Sequence, residues 1–124
     1  MFAYIDKVNK KVTPNIVNRN YYLTQGDSFS LTATPVNEGE KVIAKILFKI
    51  ASASGTIFYE KQYDYDIENK VYVCNVTAEE TAKWDITGDN DPYIYEIEVH
   101  FIDGGIETLR RAEFTIWEQS KEGE

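Results

Sequence analysis

The stretch that decides the fold runs from Tyr93 to Phe101 and reads YIYEIEVHF. Its odd-numbered positions are all apolar or aromatic, whereas two Glu and one His lie between them. Successive side chains of a β-strand point to opposite faces, so this period of two predicts a strand with one face in a core. The next turn, residues 103–105, reads DGG, which is typical of a tight hairpin. The segment therefore predicts the central strand of an antiparallel sheet.

Similar alternation extends in both directions from this strand. Residues 28–34 read SFSLTAT, and residues 42–51 and 56–66 predict two further strands separated by turns. The last strand, 106–117, changes its alternation near Arg110, which predicts a β-bulge. On residues 42–51 the predicted core face carries Ala44, Ile46, Phe48 and Ile50, and on residues 56–66 one face carries Ile57, Tyr59, Lys61, Tyr63 and Tyr65.

One short helix interrupts the strands. Thr77 and Glu80 have the spacing of a capping box, in which each side chain satisfies the backbone N–H of the other. We expect a helix over about 78–84, with Trp84 closing one end of the core. About seven or eight strands with frequent turns predict an all-β, immunoglobulin-like antiparallel β-sandwich.

The predicted domain covers residues 21–117. Residues 1–20 are polar and interrupted by Pro14, so they predict either an edge strand or an arm that docks on a neighbour. Residues 118–124 predict a flexible tail. The amino terminus has no apolar run of the kind that a signal peptide needs, so we expect synthesis in a reducing cytoplasm.

Charge excludes some classes of partner. The formal net charge is −8, and it is uneven. Residues 1–60 hold seven Lys/Arg and five Asp/Glu, whereas residues 61–124 hold six and sixteen. An acidic surface repels phosphate backbones and anionic lipids, so we expect neither a nucleic-acid partner nor membrane insertion.

The residue types that carry catalysis are scarce. Cys74 is the only cysteine and His100 the only histidine, which excludes most zinc sites and nucleophilic triads. Glu96 and Glu98 share one strand face, as on any acidic outer face. The acidic loop 85–91 could supply oxygen ligands to Ca²⁺, but it lacks the spacing of a calcium loop and a solvated turn is the preferred interpretation. The sequence predicts no enzyme, no cofactor and no metal site.

The tyrosines give the best functional indication, because tyrosine combines apolar area with a polar tip. Tyr59, Tyr63 and Tyr65 either complete the core or form a partly wet contact surface. A basic arm that meets the acidic half of a neighbouring copy would form a homo-oligomer. The residues predicted for contact are Lys10, Lys11, Arg19, Tyr63, Tyr65 and Trp117. The alternative is a carbohydrate-binding module, with Trp117 and these tyrosines as the platform.

Several short motifs follow one another in an order that resembles a known family. They are residues 23–31 (LTQGDSFSL), 76–81 (VTAEET), 92–98 (PYIYEIE), 103–109 (DGGIETL) and 112–116 (AEFTI). Over residues 21–117 the chain is similar to the immunoglobulin-like amino-terminal domain of phage baseplate upper proteins, and to related small tail proteins of prophages in low-GC Gram-positive bacteria.

The resemblance implies a structural module that contacts other tail and baseplate proteins and is assembled into a virion tail, with no catalytic residues. The chain departs from the family in two respects. Arg111 stands where a glycine is common before the last strand, and a baseplate upper protein usually continues into a long fibre-binding region, whereas this sequence stops at Glu124.

Overall fold

The computed structural model describes residues 3–8, 15–17, 20–37, 42–86 and 93–118. Within these residues the chain forms ten strands and one short helix. They are β1 (Ala3–Val8), β2 (Asn15–Val17), β3 (Asn20–Thr24), β4 (Phe29–Asn37), β5 (Ile43–Ala51), β6 (Ile57–Gln62), β7 (Asp64–Asp66), β8 (Val71–Val76), α1 (Ala78–Ala82), β9 (Tyr93–Phe101) and β10 (Ile106–Trp117).

The strands form two sheets. One has four strands in the order β1-β4-β8-β7, and the other has six in the order β2-β3-β10-β9-β5-β6. All described pairs are antiparallel except β3 with β10. Two mainly antiparallel sheets around one core are the arrangement of immunoglobulin-like domains. The predicted all-β, immunoglobulin-like sandwich with one short helix is therefore confirmed.

β9 lies in the middle of the six-stranded sheet, between β5 and β10, as its alternation predicted. Its odd-numbered residues are buried and its even-numbered residues are partly exposed. The core between the sheets is rich in aromatic rings. Tyr21 stacks on Tyr95 with ring centroids 4.0 Å apart, and Phe114 contacts both edge-on. These rings and the aliphatic residues of β4, β5 and β8 hold the sheets together without a disulfide.

The predicted strand 56–66 is in fact two strands in different sheets. β6 belongs to the six-stranded sheet and β7 to the four-stranded sheet, with Tyr63 alone between them. The Tyr63 N–H donates to the carbonyl of Ile46 at 2.9 Å, and the side chain is only 2 % exposed. The prediction that Tyr63 forms a contact surface is therefore wrong, because the chain crosses between the sheets at this residue and buries its ring.

Three register shifts occur in the six-stranded sheet, one of them between Ile50 and Ala51 where β5 pairs with β6. The register of β10 against β9 shifts between Thr108 and Arg110, which confirms the bulge predicted there. A second shift, between Ile43 and Lys45 in β5, was not predicted. It leaves Ala44 exposed, whereas strict alternation had placed it on the core face. An extra residue in one strand reverses the faces of those before it.

The helix is shorter than predicted and closes one end of the sandwich. α1 ends at Ala82, but the capping box of Thr77 and Glu80 is present and Trp84 is buried beyond it. The Thr81 hydroxyl donates to the Asp27 carbonyl at 2.9 Å. The Gln25 amide donates to the Trp84 carbonyl at 2.7 Å. We call this the helix end.

The amino-terminal segment contributes edge strands. β1 pairs with β4, and β2 pairs with β3. Of the two alternatives for residues 1–20, the described parts of the segment take the edge strand. These two strands, together with the division of 56–66 into β6 and β7, explain why more strands are present than the seven or eight predicted.

Candidate interaction surface

The end opposite the helix carries exposed apolar side chains. β4 runs away from the helix end and β5 returns towards it, and the β7–β8 and β9–β10 turns lie at the same far end. Four aliphatic residues there are more than half exposed: Val42 (58 %), Ile67 (78 %), Ile102 (69 %) and Ile106 (61 %). We call this set the apolar end. Exposed apolar side chains that gather at one end of a domain are candidates for contact with another protein.

The turns that present these residues are locally well determined. The Asp103 carboxylate accepts the Gly105 N–H at 2.8 Å, and Gly104 has a φ of 91°, which favours glycine. The Ile102 N–H donates to the Val42 carbonyl at 3.0 Å and places these two residues side by side. An apolar group that is already ordered loses little entropy when a partner covers it.

The β7–β8 turn is ordered in the same way. The Asp66 carboxylate accepts the backbone N–H groups of Glu68 and Asn69 at 3.1 and 3.2 Å and the Asn69 side-chain amide at 2.7 Å. The hydrogen bonds from Asn69 lower the pKa of Asp66. Ile67, the most exposed of the four aliphatic residues, sits at the start of this turn.

The outer face of the six-stranded sheet is occupied by ion pairs. Lys49 Nζ lies 2.8 Å from Glu98 Oε1 and 3.7 Å from Glu60 Oε1, and Arg111 Nε lies 2.9 Å from Glu96 Oε1. Burial alone would raise the pKa of Glu98, but hydrogen bonds from Lys49 and His100 lower it. Glu96 and Glu98 thus each have a cation of their own, which is not the arrangement of a glycosidase acid and base.

A groove of about 250 Å³ lies beside these pairs, at the helix-end side of the same face. The residues that line it include Ala51, Ser52, Ile57, Ile94 and Arg111. The Ser52 hydroxyl shares a 2.8 Å hydrogen bond with Ser54 and has no described base beside it. The groove has no pair of groups suited to nucleophilic catalysis.

The predicted contact residues are distributed over the molecule. Tyr65 and Trp117 are each 51 % exposed, but they lie in different sheets. Tyr65 packs against Tyr72 with ring centroids 4.9 Å apart, and Trp117 stacks on Tyr22 at 5.9 Å. The predicted contact residues Lys10, Lys11 and Arg19 lie outside the described residues.

The platform predicted for carbohydrate binding is not assembled as expected. Tyr59 is half-buried and donates to Glu80, Tyr63 is in the core, and Tyr65 belongs to the sheet opposite Trp117. Among the described residues, Trp117 stacks on Tyr22, which is partly exposed. Sequence reasoning missed that pair because the parallel contact of β3 with β10, which creates it, is not local in the sequence.

The apolar end was also missed, although the sequence carried a signal. Ile102 lies one residue beyond the end of β9 and continues the outward series after His100, where a polar residue is the usual choice. Ile67 stands between two acidic residues at the start of a turn. An isoleucine at an outward strand position or in a turn is the sequence pattern that indicates an exposed apolar surface.

No described feature points to a metal or to a reactive thiol. The part of the chain described here contains no group of three His, Cys, Asp or Glu that could hold a metal ion. Most of the loop 85–91, considered for Ca²⁺, lies outside the described residues. Burial raises the pKa of the Cys74 thiol to about 12, so the thiolate that reacts is scarce. Among the described helices, none has the length and apolar character needed to cross a membrane.

No protein-family model and no curated protein sequence matches this chain. Solved structures do match, among them the crystal structure of CopC from Methylosinus trichosporium OB3b. That match has 14 % sequence identity and a TM-score of 0.43, and it covers 74 % of this chain and 78 % of that one. At that TM-score the similarity supports no statement about function.

Proposed function

We propose that this protein is a structural interaction module of a phage or prophage tail, which joins other tail or baseplate proteins. The observation that carries the proposal is the apolar end, where four aliphatic side chains are exposed, two of them (Ile67 and Ile102) in hydrogen-bonded turns. The setting in a tail rests on the resemblance of residues 21–117 to baseplate upper domains. In that setting the protein is made in the bacterial cytoplasm and assembled into the virion.

The contrast between the two ends supports a docking role. At the helix end, hydrogen bonds join the β3–β4 turn to α1 and to Trp84, and these segments cover the core. At the apolar end, three isoleucines and a valine are more than half exposed, against Ile57 and Trp117 near the helix end. Burying such side chains against a partner contributes roughly 25 cal/mol for each Å² of apolar surface removed from water.

The test is direct binding to the tail and baseplate proteins encoded beside this gene. Purified wild-type protein should bind at least one of them in calorimetry, and the double variant Ile67→Ser/Ile102→Ser should bind at least about tenfold more weakly. Ile57→Ser is the matched control, because Ile57 is 52 % exposed but lies at the opposite end of the six-stranded sheet. Equal binding by the double variant and the control contradicts the proposal.

The exposed stack of Trp117 on Tyr22 favours carbohydrate binding as a second candidate function. Aromatic faces offer apolar area to the C–H groups of a sugar ring. Cell-wall polysaccharide should then change the emission of the exposed Trp117, and Trp117→Ala should abolish the change while Ile102→Ser leaves it intact. If saturating polysaccharide leaves the emission unaltered, this candidate fails.

A further inference from the structure

Within the described part of the chain, the four-stranded sheet ends in β1 on one side and β7 on the other. Among the described strands, β1 pairs only with β4 and β7 pairs only with β8. An edge strand offers a row of backbone N–H and C=O groups to any extended segment of suitable direction and charge. Both edges therefore can accept a strand from another molecule.

Strand direction favours one way of joining these edges. In the order β1-β4-β8-β7 each strand is antiparallel to the next. Three such reversals make β1 and β7 run in opposite directions. A second copy placed beside the first in the same orientation brings its β1 antiparallel to β7. The edges of the six-stranded sheet, β2 and β6, run in the same direction because β3 is parallel to β10. Antiparallel pairs are slightly more stable per residue, so the four-stranded sheet is the better one to extend.

The register of the sheet aligns opposite charges at the two edges. Lys7 pairs with Thr32, Thr32 with Val73, and Val73 with Asp64, so these four residues form one row across the sheet. A copy that continues the sheet along this row brings its Lys7 opposite Asp64. Opposite charges in cross-strand positions stabilise a pair and like charges destabilise it.

The surrounding sequence extends this complementarity. β7 carries Asp64 and Asp66, and Glu68 follows, with no Lys or Arg between residues 62 and 69. Lys10 and Lys11 follow β1 in the sequence. Pairing two β7 edges around a twofold axis would place Asp64 opposite Asp66 of the other copy, which is unfavourable. The charges thus favour contact between unlike edges over contact between like ones.

Exposed aromatic area lies at the same edge. Tyr65, in the middle of β7, is 51 % exposed and leans on Tyr72 of β8. A strand added beside β7 would cover this ring. Tyrosine is enriched in protein interfaces for this combination of apolar area and polar tip.

We propose that copies of this chain associate head to tail, with β1 of one copy added to the β7 edge of the next as an antiparallel strand. The contact is heterologous, so it extends into a ring or a helical array, as the twist of the sheet dictates. It goes beyond the proposed function because it joins identical copies through sheet edges, whereas the apolar end serves a different protein. An experiment can therefore refute one of the two contacts and leave the other standing.

A charge-swap experiment in sedimentation velocity at low salt tests this contact. Wild-type protein should associate with rising concentration, and Asp64→Lys and Lys7→Asp should each weaken association by about tenfold or more. An equimolar mixture of the two variants should recover association, because each variant restores the charge pair for the other. Glu107→Lys is the matched control, since it makes the same charge change on an exposed residue of β10.

The outcomes separate the alternatives. Wild-type protein that stays monomeric at millimolar concentration overturns the inference, as does a mixture that associates no better than its components. Association that survives Asp64→Lys but is lost in Ile67→Ser/Ile102→Ser assigns the self-contact to the apolar end and also overturns it. Unchanged urea unfolding of each variant confirms that the fold is intact, and Lys10→Asp/Lys11→Asp provides a second test of the basic side should Lys7→Asp unfold.

Discussion

The Glu80 carboxylate is the most heavily bonded acidic group that the structure describes, and Glu80→Gln is the sharpest test of how α1 is fixed. Glu80 Oε1 lies 2.7 Å from Lys61 Nζ, and Glu80 Oε2 accepts the hydroxyl of Tyr59. The Thr77 N–H donates to Oε1 at 3.2 Å as part of the capping box. The carboxylate thus joins the helix to β6 of the six-stranded sheet.

The size of the effect follows from the pKa of this group. Burial alone would raise the pKa of Glu80, but hydrogen bonds from Lys61, Tyr59 and Thr77 together lower it from 4.5 to about 2. At about 1.36 kcal/mol for each pKa unit, this is an upper limit of about 3 kcal/mol. The Glu80 side chain is 30 % exposed, and solvent screening reduces the expected contribution to about 1–2 kcal/mol.

The sign of the pH dependence is fixed by the lowered pKa. A carboxylate whose pKa is lower in the folded state contributes its full stability above its unfolded pKa, near 4.5 here. That contribution is lost as the pH falls towards 2. Glu80→Gln should therefore lower the free energy of unfolding by about 1–2 kcal/mol at pH 7, and the difference from wild type should shrink steadily below pH 4.5.

Urea unfolding followed by circular dichroism at pH 7, 4 and 2.5 measures this difference. Glu79→Gln is the matched control, because Glu79 occupies the same first turn and is exposed. It should cost less than about 0.5 kcal/mol at every pH. Equal losses for the two variants at pH 7, or a Glu80→Gln loss that persists at pH 2.5, would refute the reasoning.

Three further predictions concern the core and the two tryptophans. Phe114→Ala should lower the free energy of unfolding by about 3–5 kcal/mol in urea titration, because the fully buried ring contacts five other rings; a loss below about 1 kcal/mol contradicts this. Cys74 should react with Ellman's reagent at pH 8 only when urea unfolds the chain, and prompt labelling of folded protein would show that the thiol is accessible. Trp117→Phe should change stability by less than about 0.5 kcal/mol and leave only the blue-shifted emission of buried Trp84, whereas a remaining red-shifted band disproves the assigned exposures.

The sandwich could be predicted from the sequence because its determinants are local. The alternation of residues 93–101 and the capping box at Thr77 depend on spacings of two to four residues. The shift in β10 near Arg110 also leaves a trace in the alternation. Each of these features is decided by which side chains are neighbours in the chain, so a single sequence contains them.

The features that could not be predicted from the sequence depend on contacts between distant segments of the chain. Tyr63 looked like one more position in an alternating strand, yet the chain leaves one sheet and enters the other there. Nothing in residues 56–66 marks that crossing, because Lys61 and Tyr65 continue the pattern on either side. In the same way, the stack of Trp117 on Tyr22 depends on a parallel pair of strands that are about ninety residues apart.

The same distinction explains why the two candidate surfaces differ in kind. The apolar end is a departure from the usual polarity of turns, which Ile67 and Ile102 show in the sequence itself. The charge row from Lys7 to Asp64 exists only through three successive strand pairings, so composition shows the excess of charge but not its alignment. An acidic half and a basic amino terminus would serve solubility equally well if they were not aligned. Because the register aligns them at opposite edges of one sheet, reversing one charge should disrupt association and reversing both, on separate copies, should restore it.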